Sequence, residues 1–482
     1  MPGPGVSLLE NVSNFFTEPI FRGVLRGIIR DLVTKPRAEE LRDESVASFI
    51  SRRFDSRMAN NILSAVIHGI YAGDIYQLSM KTLFPRLWDY ERIATGRGPI
   101  GRLTEGSVFP RLFGKYAGTT QIDQGDLPLL NNLAALIKDS EILQTTANSS
   151  VYTFKNGIGT LATALETRIR QMPNAEIRLQ THAELQQKSD TSPGSSSDML
   201  QVECKSTKDP HGDSETLPIT HCIYACRHPL LSSGFSPPSS TSTTAGQQRS
   251  GYTSTVQVIN LYYPDPTLLP RHGFGYLIPR SVPVTHNPER ALGVVFDSDA
   301  TPTGQDDLPP GNPTGTKLTV MLGGHYWNSP SPTALPADEA SGATMARSLL
   351  ARHLGITAEP RAIRVALQKD CIPQYLVGHD DVMAEGDRYL RETYAGRVRV
   401  GGSPYTGVGL NDCVKAGRDL AVGFLENRDE RGNERGDRRR GGTEEEETAV
   451  KTGLEMFRGG RKWNYVKFDG KEGRWRDVDL KD

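Results

Sequence analysis

Residues 397–425, RVRVGGSPYTGVGLNDCVKAGRDLAVGFL, read as a strand, a glycine-rich turn and a helix, and no other stretch constrains the fold as tightly. Gly401, Gly402, Gly407 and Gly409 let the backbone approach a ligand closely. Asn411 or Asp412 is placed to cap a helix running through Cys413, Val414, Gly417 and Leu420. The free N–H groups at such a helix start attract phosphate. A plain helix cap packed on a strand explains the same letters, so on pattern alone both readings stand.

Upstream, Ile20, Phe21, Val24, Leu25, Ile28, Ile29 and Leu32 recur at helical spacing, with Arg22, Arg26 and Arg30 four apart on another face. A basic amphipathic helix of this kind lies either on an anionic membrane surface or on its own core with a solvated arginine row. Residues 43–95 read as further helix, with Asp43 and Ser45 as capping candidates. Gly69 and Gly73 interrupt one helical segment, which calls for either a helix end or a close backbone approach. VYTFKNGIGTLATALETRI passes from a short strand through Gly157 and Gly159 into a helix, and three strand-like runs follow, EIRLQTHAEL, DMLQVECKS and ITHCIYAC. From 253 to 425, strands (STVQVINLYY, GYLIP, ALGVVFD, KLTVMLGG) alternate with a helix expected at Met345 to Leu354. Disorder is expected in the Ser/Thr/Pro-rich stretch 232–250 and in 428–447, where 14 of 20 residues are charged.

Lys+Arg number 56 against Asp+Glu 57, so no global positive field exists to hold nucleic acid. The 482 residues suffice for two or more packed units. Five cysteines at irregular spacing (Cys204, Cys222, Cys226, Cys371, Cys413) do not form a disulfide scaffold. His221, Cys222, Cys226 and His228 invite a zinc reading. On one strand, however, four residues separate the two sulfurs by about 13 Å, too far to share an ion.

Eight segments, ESVASFISRRF, HGIYAGDIYQLSMKTLFP, FKNGIGTLATALE, GFGYLIP, ALGVVFDSD, LTVMLGG, LQKDCIPQYLVGH and GGSPYTGVGLNDCVKAGRDLA, occur in this order over about residues 6–425. In these the chain resembles the protoporphyrinogen oxidase family in its mitochondrial, fungal-like form. The resemblance implies a mixed α/β (α+β) fold like that of flavin amine oxidases, with a partial FAD-binding domain, a mixed-sheet substrate domain and a helical membrane-associating domain. It implies oxidation of protoporphyrinogen IX to protoporphyrin IX in haem synthesis, with FAD accepting hydride and O2 reoxidising the flavin to give H2O2. It places the protein peripherally on the mitochondrial inner membrane, on the intermembrane-space side, with ferrochelatase as a candidate contact and a homodimer as a candidate assembly.

Carried over by residue, the resemblance puts the Gly69 carbonyl against the pyrrole N–H groups, makes Phe274 and Leu277 walls of the macrocycle site, and makes Met321 a further lining residue. Read from the residues alone, these three apolar side chains are strand core. Gly402, Ser403, Val408, Gly409 and Leu410 match the stretch that touches pyrophosphate and flavin, Gly417 is read as allowing close helix packing, and Ala183 aligns with a strand residue beside adenine. No side chain stands out as a general acid or base, and no metal is implied.

The implied domains are 1–150 (helical, membrane-associating and substrate-lining), 151–228 (central FAD-binding part), 229–251 (insert), 252–396 (substrate-binding), 397–425 (carboxy-terminal FAD segment) and 426–482 (charged tail). The family opens with a strand, a G-x-G-x-x-G turn and a helix holding the FAD diphosphate. No such motif is read anywhere in these 482 residues, so the chain is expected to lack at least one βαβ unit, on the order of 30 residues. Two other readings remain open at this point: an inactive or porphyrin-binding fragment of the family, and another flavin amine-oxidase-like oxidoreductase.

Overall fold

The structure is a computed structural model that describes residues 17–92, 107–113, 118–123, 126–137, 141, 154, 157–186, 199–209, 212–227, 253–300, 315–328, 335–336, 338–426, 450–469 and 472–478. The longer helices are α1 (Val24–Val33), α2 (Val46–Arg53), α3 (Ser64–Tyr71), α4 (Leu127–Ile137), α5 (Gly159–Arg170), α6 (Glu339–Leu354), α7 (His379–Tyr394) and α8 (Leu410–Glu426). The strands are β1 (Thr120–Asp123), β2 (Thr181–Leu185), β3 (Leu200–Ser206), β4 (Glu215–Ile219), β5 (Cys222–Tyr224), β6 (Thr253–Tyr263), β7 (Gly275–Leu277), β8 (Ala291–Val295), β9 (Thr316–Gly323), β10 (Ala362–Pro373), β11 (Val398–Val400), β12 (Trp463–Asp469) and β13 (Arg474–Asp477). The expected mixed α/β class is therefore what the chain adopts. The chain divides into two units, one of Met1–Ser150, Pro229–Met383 and Met456–Asp482, the other of Val151–His228 and Ala384–Glu455.

The first unit is built on a five-stranded antiparallel sheet ordered β10-β6-β9-β8-β7. Along β9 the even-numbered residues Leu318, Val320 and Leu322 are buried, while Lys317, Thr319 and Met321 point the other way. This is the two-residue period of a strand covered on one face. The covering element is α6, whose Ala346, Leu349 and Leu350 join Ile259, Leu261 and Val294 in one apolar cluster. Asp338 caps α6 by accepting the Ser341 N–H at 2.8 Å, and Gly355, at φ +70°, ends it.

A second cluster in the same unit gathers Val46, Phe49, Ile50, Ile67, Leu78, Met80, Trp88 and Tyr465. Ser45 caps α2 through the Ser48 N–H at 3.1 Å, as its position in the sequence suggested. The helix expected from Ile20 to Val33 begins only at Val24, because Gly23 takes a left-handed φ of +91° after a 3-10 turn at Pro19–Phe21. The docked face of α1 also differs from expectation. Val24, Gly27 and Asp31 are buried, whereas Leu25, Ile29 and Val33 are 53%, 58% and 66% exposed. The reason is ionic: Asp31 and Arg53 are both fully buried and pair at 2.8 Å, and Asp31 also accepts the Phe109 N–H at 2.7 Å. Taking one member from such a pair would strand a buried charge, so it holds α1 in this rotation against its own hydrophobic stripe.

Residues 463–477 do not extend the charged tail expected over 426–482. They form β12 and β13, which pair with β1 in a three-stranded sheet. The charged run 428–447 and the insert 229–251 lie outside the described residues. Among the described residues, no helix is long and apolar enough to cross a membrane.

The second unit holds an antiparallel sheet β2-β3-β4, the exposed helix α5, and a parallel pair formed by β5 and β11. The run ITHCIYAC, read as one strand, is two: β4 ends at Ile219 and β5 begins at Cys222, turning to pair with β11.

Candidate functional site

The open face of the five-stranded sheet brings together residues far apart in sequence. Register places Leu277 opposite Gly293, Gly293 opposite Met321 and Met321 opposite Val258, a row running across β7, β8, β9 and β6. Cross-strand partners share a face. Gly293 is essential to the row, since a Cβ there would lie 2.9 Å from Leu277 Cδ2 and 2.7 Å from the Tyr276 carbonyl oxygen.

Helix α3 packs on the β7 and β8 end of this row. Gly69 is exposed within it, and a Cβ at Gly69 would stand 2.9 Å from Leu277 Cδ1. Of the two expectations for this glycine, close approach is the one realised. The helix runs on to Tyr71 before Ala72 ends it at φ +50°. Gly69 thus stands against Leu277, which shares its cross-strand row with Met321. Phe274 differs: it precedes β7 between Gly273 and Gly275, both at positive φ, and is 64% exposed.

Two histidines that the sequence reading passed over are buried behind this face. His68 Nδ1 lies 2.7 Å from the Ile278 carbonyl oxygen, and His68 Nε2 lies 2.9 Å from His325 Nε2. A carbonyl only accepts, so Nδ1 of His68 carries the proton. In the neutral ring its Nε2 is then the acceptor, and His325 must donate from Nε2. Burial pushes the His68 pKa down to about 4. That of His325 falls to about 2, through burial and then the neighbouring His68, Arg280 and Arg290. Both rings are neutral near pH 7. Tyr326 lies beside them, 4.0 Å from the His325 ring centroid. Arg280 pairs with Asp74 at 2.6 Å, and its N–H donates to Ser64 Oγ at 2.9 Å, mooring the start of α3. The His325 N–H moors the far end on the Ala72 carbonyl at 2.8 Å.

In the second unit the turn after β11 opens the backbone. Gly402 has φ +99°, and a Cβ there would lie 3.1 Å from the Ala225 carbonyl oxygen. Gly409 donates its N–H to Asp412 Oδ2 at 3.2 Å, so Asp412 reaches back from the first turn of α8 and does not itself precede the helix. Tyr405 ties the turn down by donating its hydroxyl to the Cys226 carbonyl at 2.8 Å. Burial pushes the Cys413 thiol up, against a nucleophilic role, while the Ser403 N–H bonded to its sulfur opposes that rise. Val408 is half-buried and Leu410 exposed on this turn. A positive-φ glycine and a helix start fit a diphosphate-bearing cofactor, with the Asp412 carboxylate closing the Gly407–Gly409 end of the turn.

One assignment in this unit changes. Gly417 faces open space, with no atom within 4 Å of where a Cβ would sit, so it is not the residue that lets α8 pack. That function falls to Gly423, where a Cβ would lie 3.0 Å from Arg399 Nη1, and to Gly401, where one would lie 2.5 Å from Leu420 Cδ1. Ala183 is exposed on β2 opposite Cys204, in a different sheet from the glycine turn. The letters G-x-G-x-x-G do occur once, at Gly96, Gly98 and Gly101, but behind the helix Pro85–Tyr90 instead of a strand. They lie outside the described residues.

Comparison with known proteins bears on both faces. The family described as flavin containing amine oxidoreductase matches residues 29–423. The chain is 30% identical over 381 residues to protoporphyrinogen oxidase of Schizosaccharomyces pombe, covering 79% of this chain and 68% of that one. It is 29% identical over 421 residues to protoporphyrinogen oxidase of Homo sapiens, covering 85% and 73%. A crystal structure from Exiguobacterium sp. 255-15, provisionally assigned as a protoporphyrinogen oxidase, superposes with a TM-score of 0.53 at 18% identity over 85% of this chain and 73% of that one, a likeness of fold.

Proposed function

The chain belongs to the flavin containing amine oxidoreductase family, and from that premise we propose that it oxidises protoporphyrinogen IX to protoporphyrin IX, with FAD as cofactor and O2 as final acceptor, in haem synthesis. The observation that carries the reading is the row Leu277, Gly293 and Met321, with Gly69 of α3 set against Leu277, where two glycines let helix and strands approach closely along an apolar face. Such a face suits a broad, apolar macrocycle, which needs area and little hydrogen bonding.

Bound FAD supplies the two-electron acceptor that these side chains lack. The turn Gly402, Ser403, Val408, Gly409 and Leu410 would hold it through backbone groups, with α8 offering its amino terminus to the diphosphate. Gly69 lies in the last turn of α3, where carbonyls have no intrahelical donor and the helix end is partly negative. Its carbonyl is therefore suited to receive pyrrole N–H groups. Leu277 and Met321 bound the macrocycle, and Phe274, left exposed, is free to cover it. No carboxylate stands in the Leu277–Gly293–Met321 row, so these residues orient the substrate and do not abstract its protons.

We assign peripheral attachment to the mitochondrial inner membrane, from the intermembrane-space side, to α1. The exposed stripe Leu25, Ile29 and Val33, with exposed Arg26 and Arg30 beside it, supports this.

The test is to purify the chain with added FAD, record bound flavin, and follow porphyrin fluorescence from protoporphyrinogen IX under O2. Turnover of the porphyrinogen with none of simple amines is expected. Turnover of amines alone would overturn the reading.

A further inference from the structure

The residues expected to bound the macrocycle belong to three separate elements, and one side-chain pair touches all three. His68 is the neighbour of Gly69 on α3. Its Nδ1–H donates to the carbonyl of Ile278, the neighbour of Leu277 at the end of β7, at 2.7 Å. Its Nε2 meets Nε2 of His325, in the 3-10 turn that leaves β9 four residues after Met321. Both rings are almost wholly buried, so neither is a surface side chain paired by accident.

Resting on the function proposed above, we infer that His68 and His325 are positioning residues of the oxidation, a shared-proton strut that sets the spacing of Gly69, Leu277 and Met321 against the macrocycle. An apolar core contact would hold the same elements together, yet it would not set their distance as an N–H···N bond does, because dispersion is non-directional. The strut needs opposite tautomers in its two neutral rings, with the proton on Nδ1 in His68 and on Nε2 in His325, and it needs His68 Nε2 without a proton. Burial, with Arg280 and Arg290 nearby, maintains the second condition at neutral pH. The surrounding backbone bonds, from His325 to Ala72 and from Arg280 to the Ser64 hydroxyl, do not involve the imidazoles. They keep the elements docked when a ring is replaced, so loss of the strut is separable from loss of the fold.

The experiment uses the flavin-loaded full chain with protoporphyrinogen IX under O2, comparing wild type, His325→Leu and His325→Gln. Leucine fills the space and cannot donate, whereas the glutamine amide can. His325→Leu is expected to lower kcat by about tenfold to a hundredfold, the scale for misplacement of about 1 Å. KM is expected to change less, and His325→Gln to recover most of the loss. Equal kcat in His325→Leu and wild type, per flavin-bearing molecule, would overturn the inference even if the melting temperature fell. Should His325→Leu fail to fold, nitrogen-15 spectra of histidine-labelled wild type decide. Opposite tautomers for His68 and His325 at pH 7 are expected, and like tautomers or a protonated His68 overturn the strut. A flavin-loaded wild type that leaves protoporphyrinogen untouched refutes the function reading and this role with it. An active wild type with an indifferent His325→Leu refutes this role alone.

Discussion

The sheet face around Gly69 and the turn at 401–410 both open the backbone with glycine, and they do so in opposite ways. The turn is one contiguous piece, in which β11, Gly402 and Gly409 and the start of α8 are neighbours in the chain. The sheet face is assembled from residues 68–69, 277–278, 293 and 321–325, joined through strand register and a buried histidine pair. A local site rests on local conformation. An assembled site rests on every element that carries a part of it, and it is the more fragile of the two.

The largest expected effect tests that fragility. Gly293→Ala would set a methyl 2.7 Å from the Tyr276 carbonyl oxygen, a backbone atom that cannot rotate away. It should destabilise the protein by about 2 kcal/mol, the usual scale of overpacking, seen as a lower denaturation midpoint. Unchanged stability would mean that β7 is loosely held and the assembled face softer than its register suggests.

Gly69→Ala comes next and separates binding from folding. Its methyl would meet the flexible end of Leu277 at 2.9 Å, which must move, while alanine favours the helix by about 1 kcal/mol. Stability should hold or rise while kcat/KM for protoporphyrinogen IX falls about tenfold. Intact turnover would remove Gly69 from the site.

Acid should weaken the sheet face before the turn. The folded-state pKa values of His68 and His325 lie below their ordinary 6.5, so as pH falls the unfolded chain takes up protons first. Their contribution to stability is whole above about pH 6.5 and is lost as pH drops through about 4, the His68 value. The buried carboxyls Asp43 and Asp89, raised by burial, work in the opposite sense. The comparison must therefore be with a His68→Asn, His325→Asn double variant, whose melting temperature should fall less between pH 6.5 and 4. Parallel curves would show that the rings are not held neutral by the fold.

The smallest effect sharpens the other half of the comparison. Gly417→Ala meets no neighbour and should add up to about 1 kcal/mol of stability by helix propensity alone. Flavin content is the deciding readout, and a loss of flavin on this substitution would return Gly417 to the cofactor site.

The contiguous turn was legible from residues 397–425 alone, because glycine spacing and a capping acid act within a few residues. The strands β6, β8 and β9 and the helix α6 were legible for the same reason, each carrying its own periodicity. The rotation of α1 was not. Its apolar pattern pointed one way, and a buried Asp31–Arg53 pair, set by a partner 22 residues on, turned it another. Gly293 carried a faint signal as a glycine inside a strand pattern. His68 and His325, 257 positions apart, carried none.

The sequence by itself determined the class of fold, the glycine-rich turn and the order of its elements, since propensity, capping and periodicity are short-range. Tertiary structure alone decided which face of α1 is buried, which glycines are filled against and which stand in open space, and that two distant imidazoles meet. Those outcomes depend on register and on burial of charge, and neither quantity exists until the elements have packed.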